Sequence, residues 1–441
     1  MFSVSYNYLT RGFWGDEAWT SLISQLPYLQ MLKTTALDFH PPAYYSAVEL
    51  VYKFLPPTEI VTRSISILFY FLTLLLVYKL ASEIKGKGLG IISTIVVSLN
   101  PIFFTYAFEA RNYTMFAFAA TGSIYFLVKL CEKFTKKSAI FFVFFSALGI
   151  YTHYYMFFTL AAEGLYILLF DRKILLKIIG LWAGVGILYL PWLPFLYGQL
   201  TSVGESYWIG AIDSRTHYEA FLRILGGEYQ NIFRPLLFGL SVLLLGAGIL
   251  LHAVRKKFEK PYLLIWLWAI IPFILATLPG VKIGAVKLPF RPIFFWRYLI
   301  GASVPLSLVI VHSSERFQKY FYIVLVAIII CLSLAIDLLT FTRYPYGFKQ
   351  VYQEKIVGGI SQSDKIVTVL PSFAEVLYYR NRNRLDNELI VLPEGLVQFS
   401  GKSLLDAYVQ NGTVKIQSLP AGKYFMLSPG PSVKVETNLE K

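Results

Sequence analysis

The sequence predicts a mainly α, polytopic bundle of membrane-spanning helices with a small extracytoplasmic α/β domain at its C-terminal end. Three observations lead there. Of 441 residues, 56% are hydrophobic and only 15% are charged, too few to cover a soluble protein of this length. Ten apolar runs fill the stretch from residue 60 to residue 341, most of them long enough to cross hydrocarbon as a helix. After Phe341 the chain turns polar and alternates short β-branched runs with helical ones.

The ten runs are Ile60–Leu80, Leu89–Phe108, Tyr113–Cys131, Ala139–Thr152, Tyr154–Phe170, Leu175–Leu196, Ile232–Leu251, Tyr262–Leu278, Arg297–His312 and Tyr320–Phe341. Ala139–Thr152 and Tyr154–Phe170 meet at His153 and are expected to form a helical hairpin. Arg297–His312 is short and needs its flanking polar side chains to reach the interface. Loop charge then orients the bundle. The connections 81–88, 132–138, 171–177, 253–261 and 313–319 hold 14 Lys and Arg in 38 residues. The alternate set, including residues 1–59, holds 9 in 117. Basic loops stay cytoplasmic, so the long loops and the tail are expected to face outward. The net charge of +14 is thus accounted for without nucleic acid. Cys131 and Cys331 both fall inside predicted spans, which implies no disulfide framework.

Three regions follow: a first extracytoplasmic loop over residues 1–59, the bundle over 60–341 and an α/β domain over 342–441. In the loop, Ala18–Lys33 reads as one amphipathic helix with Leu22, Leu26, Leu29 and Leu32 along a side. Ala43–Leu55 is short, aromatic and expected in the membrane interface. Pro41 and Pro42 force an extended turn between them. In the tail, helices are expected at Phe348–Ile360, Ser372–Arg380 and Leu404–Val409. Strands are expected at Lys365–Leu370, Leu389–Leu392, Val414–Ile416 and Tyr424–Leu427.

Polar clusters gather at the expected outer ends of the spans. They are Gly15-Asp16-Glu17-Ala18-Trp19, His40-Pro41-Pro42-Ala43-Tyr44-Tyr45, Phe108-Glu109-Ala110-Arg111-Asn112-Tyr113 and Tyr151-Thr152-His153-Tyr154-Tyr155. A fifth is cationic: Lys282, Lys287, Arg291 and Arg297. Basic residues on an outer surface break the positive-inside trend and suggest an anion such as phosphate. A carboxylate nearby can take a proton from an acceptor hydroxyl, and the cations can steady a phosphate leaving group. That combination suits glycosyl transfer from a lipid phosphate.

Taken in order and spacing, these motifs resemble the GT-C class of membrane glycosyltransferases, closest to the relatives of protein mannosyltransferases and lipid A sugar transferases. The resemblance covers roughly Gly12 to Leu308, with Arg297-Tyr298-Leu299 similar to an arginine-tyrosine element at the outer end of a late span. It implies an enzyme that moves a sugar from a polyprenyl-phosphate donor to a lipid, glycan or protein acceptor on the outer face. It implies Asp16 as general base, with Glu17 as helper or alternative. It places His40, Glu109 and Arg111 along the same cavity and Arg297 at the lipid phosphate. His153 and Tyr154 of the fourth cluster, and Lys287 and Arg291 of the cationic one, are further candidate substrate contacts. No cofactor is dictated, and the residues leave a divalent metal open. The family also has a span before the acidic pair, whereas fifteen residues precede Asp16 here: either the sequence is a fragment or its start lies further upstream, or else the first loop lacks that anchor.

Plainer roles fit the same residues. Asp16 and Glu17 suit the start of a helix. Glu109 and Arg111 suit an ion pair at a helix end, and His153 a turn hydrogen bond. A polytopic transporter or lipid-linked-sugar flippase is the alternative function, and a non-catalytic subunit of an envelope glycosylation assembly is another.

Overall fold

The computed structural model describes residues 6–206, 209–210, 212–255, 259–280, 282–283, 286–287, 292–314, 317–394, 402–405, 408 and 419–438. The chain forms two compact units, one from residues 1–65 with 342–441 and one from residues 66–341.

The first unit joins the two ends of the chain. Its N-terminal part holds α1 (Gly15–Ser24), α2 (Tyr28–Ala36), α3 (Ala43–Tyr52) and the start of α4 (Glu59–Lys85). The single amphipathic helix expected over Ala18–Lys33 is instead α1 and α2. Pro27 is the residue before α2 and cannot donate the hydrogen bond that a continuous helix needs there.

The second unit opens with the rest of α4, then α5 (Lys87–Ser98), α6 (Pro101–Ala107), α7 (Tyr113–Glu132), α8 (Lys136–Thr152) and α9 (Met156–Phe170). It continues with α10 (Leu175–Tyr189), α11 (Leu193–Ser206), α12 (Ser214–Gly226), α13 (Arg234–Arg255) and α14 (Lys260–Thr277). A short antiparallel ribbon of β1 (Lys282–Ile283) and β2 (Val286–Lys287) follows. A 3-10 segment Trp296–Ala302, α15 (Ser303–Ser314) and α16 (Lys319–Phe341) complete it.

Each of the ten apolar runs is helical over most of its length. Their lengths differ from the expectation of ten full spans. Among the described residues, five helices are long and apolar enough to cross a membrane, and α5 with α6 make a sixth if the bent pair is one span. The bend is 68°. Asn100 caps α6 by accepting from the Phe103 N–H at 3.1 Å, and Pro101 follows at the first helical position. The Asn100 amide also donates to the Ile224 carbonyl and to Ser307 Oγ, both at 3.3 Å, so three parts of the unit meet at the break.

Burial separates inner from outer helices. In α7, 72% of the apolar window is buried, against 22% across α10 and α11. Thus α7, like the wholly buried α15, is an inner helix of the bundle, and α10 and α11 present most of their apolar surface outward. Polar atoms between helices pair with one another: Ser123 Oγ meets Ser146 Oγ at 3.0 Å and donates to Glu163 Oε1 at 2.7 Å. The expected hairpin at His153 is present. It is tight because Gly149 lets Met156 approach, and a Cβ there would lie 2.5 Å from Met156 Sδ.

The C-terminal part of the first unit holds α17 (Phe348–Val351), β3 (Lys365–Val369), α18 (Phe373–Arg382), β4 (Leu389–Leu392), α19 (Lys402–Leu405), β5 (Gly422–Ser428) and β6 (Ser432–Asn438). The sheet order is β4-β3-β5-β6. β3 runs parallel to both β4 and β5, with Ile366 opposite Leu389 and Lys365 opposite Tyr424. β6 returns antiparallel along β5. The central position explains the nearly unbroken apolar run of β3, since parallel strands are covered on both faces. Val367, Val369, Ile390, Leu392, Leu419 and Tyr424 form its core. Three of the expected strands are β3, β4 and β5. The fourth, Val414–Ile416, lies outside the described residues. β6 was not anticipated: it alternates Val433 and Val435 with Lys434 and Glu436, and no residue of it is fully buried.

Arg63, completely buried, holds Glu17 and three backbone carbonyls. Arg63→Ala breaks the buried pair with Glu17 and is expected to cost about 3–5 kcal/mol, the range for such a loss. Chemical denaturation followed by tryptophan fluorescence measures it.

Candidate active site

Asp16 and Glu17 sit in the first turn of α1, and they face different surroundings. Glu17 is fully buried. Arg63 grips it bidentately, Nε to Oε1 at 2.8 Å and Nη2 to Oε2 at 2.6 Å, and Arg11 Nη2 lies 3.5 Å from Oε2. A forked guanidinium matched to a carboxylate is strong and directional. Arg63 also donates to the carbonyls of Leu9, Arg11 and Gly12 at 2.6–3.1 Å. The geometry therefore gives Glu17 a structural part, fixing the loop that leads into α1. Asp16 is half-buried on the same turn. Its carbonyl accepts from Thr20 Oγ1 at 2.8 Å.

The Asp16 turn rests on the C-terminal part of the unit. Tyr379 of α18 accepts from the Phe13 N–H at 2.7 Å and donates to Glu59 Oε1 at 3.0 Å. Lys349 pairs with Glu59 at 3.4 Å and donates to the Thr10 carbonyl at 2.9 Å. Tyr378 donates to the Pro57 carbonyl at 2.9 Å. Asp38 is buried and accepts from Trp19 Nε1 at 3.3 Å, so the turn before Pro41 is tied to α1. His40 is half-buried on that turn.

The second unit gathers another set of expected residues. Glu109, Arg111 and Asn112 lie on the reversal between α6 and α7, and all three are buried. Asn112 Nδ2 donates to the Thr152 carbonyl at 2.7 Å, joining this reversal to the one at His153. His153 stacks on Phe116 with ring centroids 5.1 Å apart and meets Tyr298 edge-on at 5.3 Å. Its Nδ1 accepts from the Tyr155 N–H at 3.1 Å. Burial, and then the charge of Arg111, push its pKa down to about 3. At neutral pH His153 is uncharged and carries one N–H and no positive charge.

Arg297 is the second residue of the 3-10 segment, half-buried, with its guanidinium 5.2 Å from the Trp296 ring and 5.6 Å from Phe295. Buried Tyr106 has Arg297, Glu228 and Glu109 as charged neighbours, and its ring meets Trp296 at 6.0 Å and Tyr113 at 5.1 Å. Arg223 of α12 lies 4.7 Å over Trp296 and is balanced by Glu219 and Glu228. Thus Glu109, Arg111, His153 and Arg297 come together within this unit.

Tyr154 is placed differently from the expectation. Its hydroxyl hydrogen-bonds Gln199 and accepts from Trp192 Nε1, bracing the segment around α11. The neighbouring Tyr155 joins the cluster instead. Its hydroxyl donates to the Ile293 carbonyl at 2.6 Å and its ring meets Tyr298. The reversal at His153 leaves the extended backbone there and turns successive side chains to different sides. Lys287 stands in β2 with Lys282 as its register partner. Arg291 lies outside the described residues. Among the described residues, no group of three or more His, Cys, Asp or Glu side chains is placed to share a metal ion.

The sequence reading missed Arg63, Tyr106 and Trp296, and it named Tyr155 in a cluster without singling it out. Arg63 did leave a signal, a lone arginine near the start of an apolar run, where an ionised group needs a partner.

Residues 39–197 match the family model described as dolichyl-phosphate-mannose-protein mannosyltransferase. No curated protein matches this sequence. In structure the chain is similar to ArnT from Cupriavidus metallidurans in the apo state. The TM-score is 0.62 at 12% identity, over 96% of this chain and 90% of that one. ArnT bound to undecaprenyl phosphate gives 0.59 at 12% identity over the same shares. This is the GT-C fold. A third likeness is to AglB, the oligosaccharyltransferase of Archaeoglobus fulgidus in complex with an inhibitory peptide and a dolichol-phosphate. Its TM-score is 0.51 at 13% identity, over 99% of this chain and 71% of that one. The expected bundle of apolar helices with a small C-terminal sheet is borne out, and the chain is a multi-pass membrane protein of GT-C architecture.

Packing around the GT-C helices makes Gly301 a sensitive point. A Cβ there would lie 2.5 Å from Phe116 Cε1, the ring on which His153 stacks. Gly301→Val is expected to displace Phe116 and cost about 1–3 kcal/mol by overpacking. Thermal unfolding in detergent measures the loss.

Proposed function

We propose that this chain is a membrane glycosyltransferase that moves a sugar from a polyprenyl-phosphate donor to an acceptor hydroxyl on the outer face of the membrane. The carrying observation is the division of labour in the first turn of α1. Glu17 is locked by Arg63, which leaves Asp16 half-buried on a rigidly positioned turn of a GT-C fold. A carboxylate held in that way suits a general base. Asp16 takes the proton from the acceptor hydroxyl, whose oxygen then bonds the anomeric carbon of the sugar.

The leaving group is a lipid phosphate. Arg297 is the residue for it, because a guanidinium presents several N–H donors to phosphate oxygens and keeps its charge at any physiological pH. Arg111 supplies a second positive charge in the same unit, and His153 one N–H. Relatives in structure support the donor class, since ArnT binds undecaprenyl phosphate and AglB a dolichol-phosphate. An apolar cavity of about 200 Å³ supports a lipid partner too. It is lined by Ile150, Phe157, Leu160, Trp182, Val185, Gly186 and Tyr189. Loop charge supports an outward-facing site.

Purified protein offered a panel of polyprenyl-phosphate sugars is expected to release polyprenyl phosphate from at least one. Asp16→Asn should lower that rate by about 10²–10⁴-fold, the usual contribution of a general base. An unchanged rate in a folded Asp16→Asn protein removes Asp16 from the role. Arg297→Lys keeps the charge but loses the fork, and is expected to raise the donor KM more than it lowers kcat.

A further inference from the structure

We propose that strand β6 is an interaction surface for a second copy of this chain, the two β6 strands pairing antiparallel about a two-fold axis at Val435. The proposal goes beyond the transferase reading and does not depend on it. It starts from the two edges of the C-terminal sheet, which are finished differently. β4 closes one edge: all four of its residues are buried, and the Val391 N–H donates to the Tyr408 carbonyl at 3.4 Å. β6 ends the other. Its inner side pairs with β5 without a break, from Ser432 opposite Ser428 to Asn438 opposite Gly422. Among the described residues no strand pairs with its outer side. α17 lies near β6, yet Ser432, Lys434, Val435 and Thr437 are exposed, Val435 by 52%.

An open edge offers a row of backbone N–H and C=O groups to another extended chain, and sheets blunt it with a short strand, a proline, a bulge or a lysine. β6 has seven residues, no proline and an unbroken register. It carries Lys434, but Glu436 follows two residues on, so one face of the strand shows both signs of charge. Neither charge is used inside the molecule. Lys434 stands opposite Met426 and Glu436 opposite Tyr424, and among the described residues neither has an ion-pair partner.

Charge selects both the partner and the register. Two antiparallel copies of β6 with Val435 against Val435 put Lys434 of each opposite Glu436 of the other, and Val433 opposite Thr437. Unlike charges directly opposite across strands attract, and like charges repel. A slip of two residues sets lysine against lysine or glutamate against glutamate. A slip of one sets each charge against an uncharged residue and turns the side chains to the wrong faces. The alignment at Val435 is the one that pairs both charges, and it does so twice by symmetry. The strand is thus complementary to itself, which an unrelated partner would not require. The pairing also closes: two four-stranded sheets become one, with β4 at both ends and no open edge left for a third copy.

Disulfide trapping of the full chain in membranes tests the pairing. Val435→Cys sets two thiols face to face at the two-fold axis, within bridging distance. Mild oxidation should then give a covalent dimer that the wild type, with Cys131 and Cys331, does not give. Thr437→Cys alone should not cross-link, because its two copies stand about 13 Å apart along the strands. Thr437→Cys mixed with Val433→Cys should. Adding Lys434→Glu to Val435→Cys turns both ion pairs into repulsions and should slow cross-linking about tenfold. Adding Glu436→Lys as well restores opposite charges and should restore the rate. Val435→Cys that stays monomeric, or a dimer indifferent to these charges, overturns the proposal. Energy transfer between dye-labelled copies with native β6, reconstituted together in lipid vesicles, is the independent readout. Lys434→Glu should lower it and the double exchange recover it; no transfer between unsubstituted copies overturns the pairing. Protein that dimerises through β6 yet moves no sugar keeps this proposal and counts against the transferase reading alone.

Discussion

Arg63 is the side chain on which the rest of the first unit depends. It is completely buried, and its guanidinium is saturated by one carboxylate and three backbone carbonyls. Removing such a charge from water is expensive, and only a complete set of acceptors offsets the cost. The loop before α1 can satisfy that demand in one conformation, the one that directs three carbonyls and Glu17 at a single point. The requirement fixes where α1 begins, and so where Asp16 stands. A hydrophobic residue at position 63 would remove the demand and with it the reason for that conformation.

The second unit solves a different problem with the same means. Its helices are too apolar to be told apart by hydrophobicity, so polar contacts set their register. Asn100 ties the broken helix to Ile224 and Ser307, Asn112 ties one reversal to Thr152, and Ser123 ties α7 to Ser146 and Glu163. In a nonpolar medium an unpaired polar group has no water to fall back on, which makes these few bonds selective. Aromatic edges around His153 and Tyr106 then fill the space between the reversals.

Much of this was legible in the sequence. All ten apolar runs are helical, since a 15–20 residue apolar run has no other way to satisfy its backbone in lipid. Where runs are short or broken, composition could not tell a full span from a partial one, as α5 and α6 show with their bend at Asn100-Pro101. The clusters at Glu109, Arg111, His153 and Arg297 were visible because polar residues at the ends of apolar runs stand out. Which neighbour faces inward was not visible. Tyr155 rather than Tyr154, and Glu17 locked beside half-buried Asp16, depend on backbone direction at a turn, and sequence spacing does not carry it. The contact between Glu375 and Gly15 spans 360 residues of chain, and no local pattern encodes a pairing at that separation.

The first unit is sewn from the beginning and the end of the chain. During synthesis the segment with Asp16 emerges first, while Tyr379 and Lys349 follow only after every intervening helix has been made. The early segment must therefore wait, with Phe13 and Glu59 lacking the partners they later acquire. Closing a loop of that size is slow compared with forming a helix, and the contacts that reward it arrive last. Site assembly is thereby made a late checkpoint of biogenesis: a chain that stops short of α18 inserts its helices yet leaves the Asp16 turn without its support.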